Sequence, residues 1–277
     1  MRRIIVAFLL FSSTLFSQSY RISSTAKNVI SAHAGHSFNR FFPSRFTLQG
    51  NEFDLTLNHA QFDPIKEKWT FSRYLTSPFK LGLGWNIRKN FQIMLEVDNF
   101  KYLLAKQVLQ VSGTVAPFYD QLGGLSGNYL NTPVAMDTVG FGINMQNIRL
   151  ISLNFQRLQP LVHYKNHSFA AVASYGIGLG FLQSSYSVNF GSAIQEDIAS
   201  LSGMAGGLNL GIRLEFFGVF YLMPSLTGGL MVHKNLRLSL TESNQKAQQN
   251  LWFGQASISV GTIFFPGKKK NCDCPHF

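Results

Sequence analysis

The sequence lacks long apolar runs and has very few cysteines and few acidic residues. The apolar run at 4–11 is far short of the ~20 consecutive apolar residues that a spanning helix needs, and no later stretch reaches that length, so a helical membrane protein is not expected. The only two cysteines lie at positions 272 and 274. Since no cysteine lies directly after the N-terminal apolar run, a lipid-anchored form is not expected either.

The N-terminus has the pattern of a secretory signal peptide. Arg2 and Arg3 precede the apolar run at 4–11, and a polar stretch follows at 12–19. We expect cleavage near Ser17 or Gln18. The chain then divides into a signal peptide at 1–18, one large β domain at 19–265 and a basic, cysteine-containing tail at 266–277.

The charge balance is strongly basic. The net charge is +11, and subtracting Arg2 and Arg3 from it leaves +9. These basic residues are scattered through loops and chain ends and are not stacked along one helix, so nucleic acid is not expected as a partner. Anionic lipopolysaccharide or anionic solutes are the partners that such a charge favours.

Apolar and polar residues alternate in at least eight segments. Residues at every second position of a strand share a face, so each segment has one apolar and one polar face. The fourth segment is predicted to begin as early as Phe141. The segments are 53–58, 81–87, 91–98, 151–156, 169–181, 208–216, 220–230 and 252–264.

The connections between these segments differ in length. Those near 88–90, 158–167 and 217–218 are short, whereas 61–78, 107–136, 184–203 and 231–250 are long and polar. Outer-membrane barrels have short periplasmic turns, longer extracellular loops and lipid on one face of every strand. The sequence therefore predicts an all-β, closed, antiparallel, up-and-down transmembrane β-barrel in the cell outer membrane, with both termini periplasmic.

The predicted strand number is 8 to 10. An additional hairpin from 29–37 and 45–49 would raise eight strands to ten, and the ten-stranded form is favoured here. A soluble β-sandwich is the alternative fold.

Several polar residues are predicted to face the barrel lumen. In a barrel of this size the interior is barely wider than its side chains, so the charges are expected to pair with one another. Binding of a small polar solute or a proton is the alternative. The predicted lumen residues are Glu96, Asp98, Arg213, Glu215, Asn154 and Gln156.

No motif predicts catalysis or a cofactor. The glycines at 176, 178 and 180 alternate within a strand, unlike the glycines of a nucleotide-binding turn. A lipid A modifying enzyme would need a serine or aspartate beside a histidine, and the seven histidines scatter without a Gly-x-Ser-x-Gly motif. We therefore predict no enzyme, no cofactor and no metal, with a lipid A modifying enzyme as an alternative.

Three further segments suggest contacts with other molecules. Cys272 and Cys274 in the tail could form a local disulfide or a bond to a periplasmic or secretion partner. Gly261, followed by Ile263, Phe264 and Phe265, looks like the glycine-plus-aromatic signal of a terminal strand that barrel-assembly machinery reads. The loop residues Phe118, Tyr119, Leu122 and Leu125 could admit a hydrophobic ligand, form a plug or pack on the rim.

Four segments together carry a family resemblance: 52–57, 91–101 with the run Val-Asp-Asn-Phe-Lys-Tyr from position 97, 176–181 and 206–217. They resemble the uncharacterised small outer-membrane β-barrel proteins of Bacteroidota-type bacteria. The resemblance implies fold and location and no defined activity. The leading hypothesis is a non-enzymatic barrel with a structural or small-solute and lipid-handling role, and the alternative is a module that docks partners through its tail.

Overall fold

The computed structural model describes residues 23–64, 78–117, 126–136, 141–163, 169–190, 193–194, 198–237 and 244–266. Fourteen strands of these residues join in one antiparallel sheet. The strands are β1 (Ile30–Phe41), β2 (Ser44–Gln49), β3 (Phe53–Ala60), β4 (Phe62–Pro64), β5 (Phe79–Arg88), β6 (Phe91–Leu104), β7 (Gln107–Val115), β8 (Gly127–Met136), β9 (Phe141–His163), β10 (Phe169–Phe190), β11 (Ala193–Ile194), β12 (Ile198–Phe216), β13 (Phe220–Arg237) and β14 (Lys246–Phe264).

Eight of these strands close into a barrel. Their order around the ring is β1, β5, β6, β9, β10, β12, β13 and β14, and β14 pairs back onto β1. The closing pair runs from Ile30 opposite Phe264 to Phe41 opposite Phe253. The predicted closed antiparallel barrel is confirmed, and its strand number is eight.

The structure corrects which segments form this ring. β1, the first arm of the optional hairpin, is a barrel strand, whereas β2 and β3 lie outside the ring. With six residues β2 is too short to span a membrane. The apolar face of β3 carries Leu55 and Leu57, which are buried in a protein core and do not face lipid. Alternation shows that a strand is half-buried, but not whether lipid or protein buries it. Since β2 and β3 lie outside the ring, the preference for ten strands is wrong.

The barrel is apolar outside and polar over much of its inside. Leu179, Leu208 and Val260 point outward with 64%, 65% and 61% of their surface exposed. Asn154 and Ser259 point inward and are buried. This distribution is that of a transmembrane β-barrel, and it excludes the soluble β-sandwich, which would bury its aliphatic side chains. The described residues contain no helix that is long and apolar enough to span a membrane.

The two ends of the barrel differ, and we name them by their connections. At the turn end, β5 meets β6 and β12 meets β13 through short turns in which Asn90, Phe217 and Gly218 adopt positive φ. A left-handed backbone lets an antiparallel pair reverse within two or three residues. The opposite end, where β1 leads to β5 and β6 leads to β9 through long insertions, is the loop end.

The long connections are less loop-like than predicted. β10 continues to Phe190 and β12 begins at Ile198, so most of 184–203 is strand. Likewise β13 continues to Arg237 and β14 begins at Lys246 within the predicted loop 231–250. The segment 107–136 contains β7 and β8. These strands continue beyond the apolar face that contacts lipid, and their outward side chains there are polar. Sequence alone does not distinguish such strand extensions from loops.

A second layer covers the loop end of the barrel. We call β2, β3, β7 and β8 the cap sheet; it is joined to the barrel because β2 pairs with the first residues of β14. The inner face of the cap sheet and the loop-end half of the lumen form one apolar core. Its members include Phe41, Phe46, Leu48, Leu55, Leu57, Phe62, Phe100, Tyr102, Ile148, Leu182, Met231, Leu251 and Phe253.

Candidate functional site

A network of charged and amide side chains occupies the turn-end half of the lumen. Its members come from six strands of the ring and are buried, because alternate residues of every barrel strand point inward. We call this set the lumen network: His33, Lys80, Glu96, Asp98, Asn154, Asn209 and Gln255.

Glu96 lies at the centre of the lumen network. The Lys80 ammonium lies 3.2 Å from its Oε2, and the Asn154 amide donates to the same oxygen at 2.7 Å. Its other oxygen, Oε1, lies 3.5 Å from His33 Nε2. A buried carboxylate is tolerated only when such partners replace its hydration, so Glu96 depends on all three neighbours.

Asp98 provides a second buried carboxylate beside the same lysine. Its Oδ2 is 4.0 Å from Lys80 Nζ, and the Gln255 amide donates to Oδ1 at 3.3 Å. One ammonium group therefore serves two carboxylates. Asn209 extends the network, because its amide donates to Asn154 Oδ1 at 2.7 Å.

A separate ion pair joins Arg213 to Glu215 two residues further along β12. Arg213 Nε donates to Glu215 Oε1 at 2.7 Å, and the guanidinium lies 5.4 Å from the centre of the Tyr221 ring. Both charged side chains are buried. The cation over an aromatic face and the short charge-assisted hydrogen bond together hold the guanidinium in place.

The structure places all six predicted lumen residues inside the barrel, but in different surroundings. Glu96, Asp98 and Asn154 belong to the lumen network, and Arg213 with Glu215 forms the neighbouring ion pair. Gln156 is buried beside Met94, whose sulfur its amide approaches at 3.9 Å. Whether these residues serve any ligand stays a prediction.

Four members of the lumen network were not among the predicted lumen residues. Asn209 and Gln255 lie at inward positions of strands that were predicted, whereas Lys80 and His33 lie outside the predicted barrel strands. Lys80 precedes the predicted start of its strand at 81, and His33 lies in the segment assigned to the optional hairpin. Both continue a polar alternation, Lys80 with Gly82 and Gly84, His33 with Ser31 and Ser37. Extending each strand by this alternation would have found them.

The described part of the lumen is filled. Between the lumen network and the apolar core lies a cavity of about 20 Å³, which has room for one water molecule. Asn209 Oδ1 and Thr227 Oγ1 line it without a hydrogen-bond partner among the described residues. The described residues also hold no group of three or more His, Cys, Asp or Glu side chains that could bind a metal.

The segment before β1 lies across the turn end of the barrel. Asn86 donates through Nδ2 to the carbonyls of Ser24 and Ala26, at 2.8 and 2.9 Å. Thr25 is buried, and its carbonyl accepts the Asn90 amide at 2.8 Å. Residues 23–29, which we call the N-terminal plug, are thereby tied to the β5–β6 hairpin.

One serine lies beside a histidine. Ser202 Oγ is 3.0 Å from His233 Nδ1 and 2.7 Å from Ser184 Oγ. The three side chains are buried in the loop-end half of the lumen, and Ser202 also donates to the Leu182 carbonyl at 3.2 Å. A hydrolase nucleophile must reach its substrate. Ser202 and His233 are enclosed by other side chains, so their contact is not accessible to a substrate.

Several predicted features lie outside the described residues. They are the signal peptide at 1–18, the loop residues Phe118, Tyr119, Leu122 and Leu125, and the tail thiols Cys272 and Cys274. Each of these stays a prediction.

Solved structures match the chain where sequence models do not. No protein-family model and no curated protein matches it, whereas 34 chains of solved structures do. Ail, the attachment invasion locus protein of Yersinia pestis, shares 8% identity over 86% of this chain and 99% of Ail, with a TM-score of 0.36. OprG from Pseudomonas aeruginosa shares 11% over 86% and 97%, with a TM-score of 0.39.

AlkL, an outer membrane protein, shares 7% identity over 92% of this chain and 99% of its own length, with a TM-score of 0.41. At these identities and TM-scores the likeness concerns the type of fold alone. No ligand and no residue role passes from these proteins to this chain, and the Bacteroidota-type origin stays a prediction.

Proposed function

We propose that this chain is a non-enzymatic integral barrel of the outer membrane, whose filled lumen makes it an anchor for the cap sheet and not an open pore. The observation that carries the proposal is the continuous filling of the lumen. The N-terminal plug, the lumen network and the apolar core follow one another from the turn end to the loop end.

The outward belt supports the membrane placement. Large apolar side chains point outward on strands around the ring, among them Trp85, Ile177, Leu210 and Ile258. In water such a belt would cause association, whereas in hydrocarbon it is the stable arrangement. Because outer-membrane barrels have short periplasmic turns and longer extracellular loops, we infer that the turn end and both termini lie in the periplasm and that the cap sheet faces the outside of the cell.

The chemistry of the lumen favours anchoring over transport. The charges of the network are held in hydrogen-bonded pairs, and the apolar core beyond them is formed by fully buried aromatic residues such as Phe46 and Tyr102. A solute would have to break both layers. Replacing a buried ion pair by apolar residues is often neutral or stabilising, so we infer that these pairs fix the arrangement of the lumen more than they stabilise it.

Conductance tests the proposal. We expect the purified full chain, inserted into planar lipid bilayers, to give no current steps at any voltage. Insertion is verified separately by heat-dependent migration on gels and by protection of the belt from protease in liposomes. Regular single-channel steps from the inserted protein would contradict the filled lumen, and a detergent-independent soluble monomer would contradict the membrane placement.

Two alternatives have their own tests. Docking of a periplasmic partner through Cys272 or Cys274 would give a specific cross-linked protein in cells. A lipid A modifying activity would change the lipid A mass spectrum when the gene is deleted. The burial of the Ser202 and His233 pair supports an unchanged spectrum.

A further inference from the structure

A row of polar side chains crosses from the barrel onto the outer face of the cap sheet. Its members are direct neighbours on six successive strands, and all six are exposed. We call them the outward row: Arg237, Lys246, Gln49, Asp54, Thr114 and Asn128. With neighbouring strands about 4.8 Å apart, the outward row is roughly 24 Å long.

The row rests on a rigid support. Its strands turn their other face inward, where Leu236, Ala247, Leu48 and Leu55 belong to the apolar core. A second row parallel to it consists of Gln248, Thr47, Thr56 and Ser112. Hydroxyl and amide groups therefore line the outer face of these strands with few charges.

The barrel end of the outward row is cationic. Arg237 lies directly opposite Lys246, and like charges in direct cross-strand positions repel each other. Lys234 on β13 and Arg45 on β2 add two more exposed cations. The single carboxylate of the row, Asp54, is two strands away from Lys246. An anion with several oxygens between Arg237 and Lys246 would replace repulsion with charge-assisted hydrogen bonds.

The height of this end above the membrane belt indicates the class of ligand. Trp252, 60% exposed, lies on the same outward face of β14 as Lys246 and six residues closer to the belt. Aromatic residues of this kind flank the hydrocarbon region of barrels. Six residues of a tilted strand raise Lys246 by roughly 15 Å above Trp252. That is the level of headgroup saccharides and not of acyl chains.

We propose that the outward row binds the phosphorylated saccharide headgroup of an outer-leaflet glycolipid, with phosphate between Arg237 and Lys246 and sugar hydroxyls along Gln49, Thr114 and Asn128. The inference rests on the proposed orientation, in which the loop end faces outward. Hydroxyl and amide side chains donate to and accept from sugar hydroxyls, whereas the guanidinium and ammonium select the phosphate.

Calorimetric titration tests this site. The probe is the deacylated, phosphorylated core oligosaccharide of lipopolysaccharide, added to the detergent-solubilised full chain. We expect the R237S/K246S variant to bind it about tenfold more weakly, and the wild type to lose a similar factor when the probe is dephosphorylated. The N128A variant is expected to weaken binding of both probes. The matched control is R88S/K89S, which removes the same charges at the turn end and should bind as the wild type does.

The outcomes separate this inference from the proposed function. Equal affinity of R237S/K246S and wild type, or equal loss in the R88S/K89S control, would overturn the site while leaving the membrane barrel intact. The folded state of each variant is verified by heat-dependent migration before titration. A wild-type chain that needs no detergent would instead overturn the membrane placement itself.

Discussion

In the turn-end half of the lumen, inward positions carry charges and amides; in the loop-end half, the same strands carry aromatic and aliphatic side chains. β6 illustrates the change, since Gln92, Glu96 and Asp98 are followed at the next inward positions by Phe100 and Tyr102. The first half is held by paired hydrogen bonds. The second half, with the cap sheet, packs like the core of a soluble protein.

The two halves differ in how a substitution lowers their stability. A polar group in a low-dielectric interior becomes costly when one partner is removed, because the remaining partner keeps its desolvation penalty. An apolar side chain loses its transfer energy and leaves a cavity. Single substitutions should therefore affect the two halves through different mechanisms.

The largest effect is expected from E96L. It removes the carboxylate that pairs with Lys80 and accepts from Asn154, and it leaves the buried ammonium with Asp98 at 4.0 Å as its nearest carboxylate. Breaking a buried pair in this way typically lowers the free energy of unfolding by about 3–5 kcal/mol. Urea titration of the protein folded in lipid vesicles measures it. E52L, which removes a carboxylate at an exposed position, is the control, and equal stability of both variants would contradict the dependence of the lumen on Glu96.

A somewhat smaller effect is expected from L57A in the cap sheet. Leu57 is fully buried in the core shared by cap and barrel. Truncation of such a leucine typically lowers the free energy of unfolding by about 3 kcal/mol. V108A, on the exposed face of the cap sheet, is the control. Since the core is continuous, we expect one unfolding transition, and separate melting of the cap at lower urea concentration would show that the two layers are independent.

The N-terminal plug gives a third, intermediate effect. N86A removes both hydrogen bonds to the carbonyls of Ser24 and Ala26, as well as an acceptor for Gln92. We expect a loss of about 2 kcal/mol in the free energy of unfolding and faster protease cleavage before β1. N51A, in an exposed turn of the cap sheet, should leave both quantities unchanged. An unaltered cleavage rate in N86A would mean that the plug is held by other contacts.

Much of this architecture could be predicted from the sequence, because an alternating pattern with lipid on one side is directly visible in strands such as β10 and β14. What could not be predicted is the second layer. Phe46 and Leu55 alternate as lipid-facing residues do, yet they belong to the cap sheet and are buried in the apolar core that it shares with the barrel. Inward polar residues on known strands, such as Glu96 and Arg213, followed from strand period alone. Lys80 did not, because its strand was predicted to begin at 81, and His33 did not, because its strand was predicted only as part of an optional hairpin. The partners within the network depend in addition on the register between strands.

The smallest effect is expected from S202A, which tests a polar cluster in the apolar half. Ser202 contacts Ser184 and His233 within that half, so the substitution removes a hydrogen-bonding hydroxyl without creating a large cavity. We expect a loss of about 1 kcal/mol in the free energy of unfolding and an unchanged lipid A mass spectrum in cells. S200A is the control, because the Ser200 hydroxyl has no partner among the described residues. An altered lipid A spectrum in S202A but not in S200A would make this half of the lumen a reactive site, and the contrast between a polar half and an inert apolar half would then no longer hold.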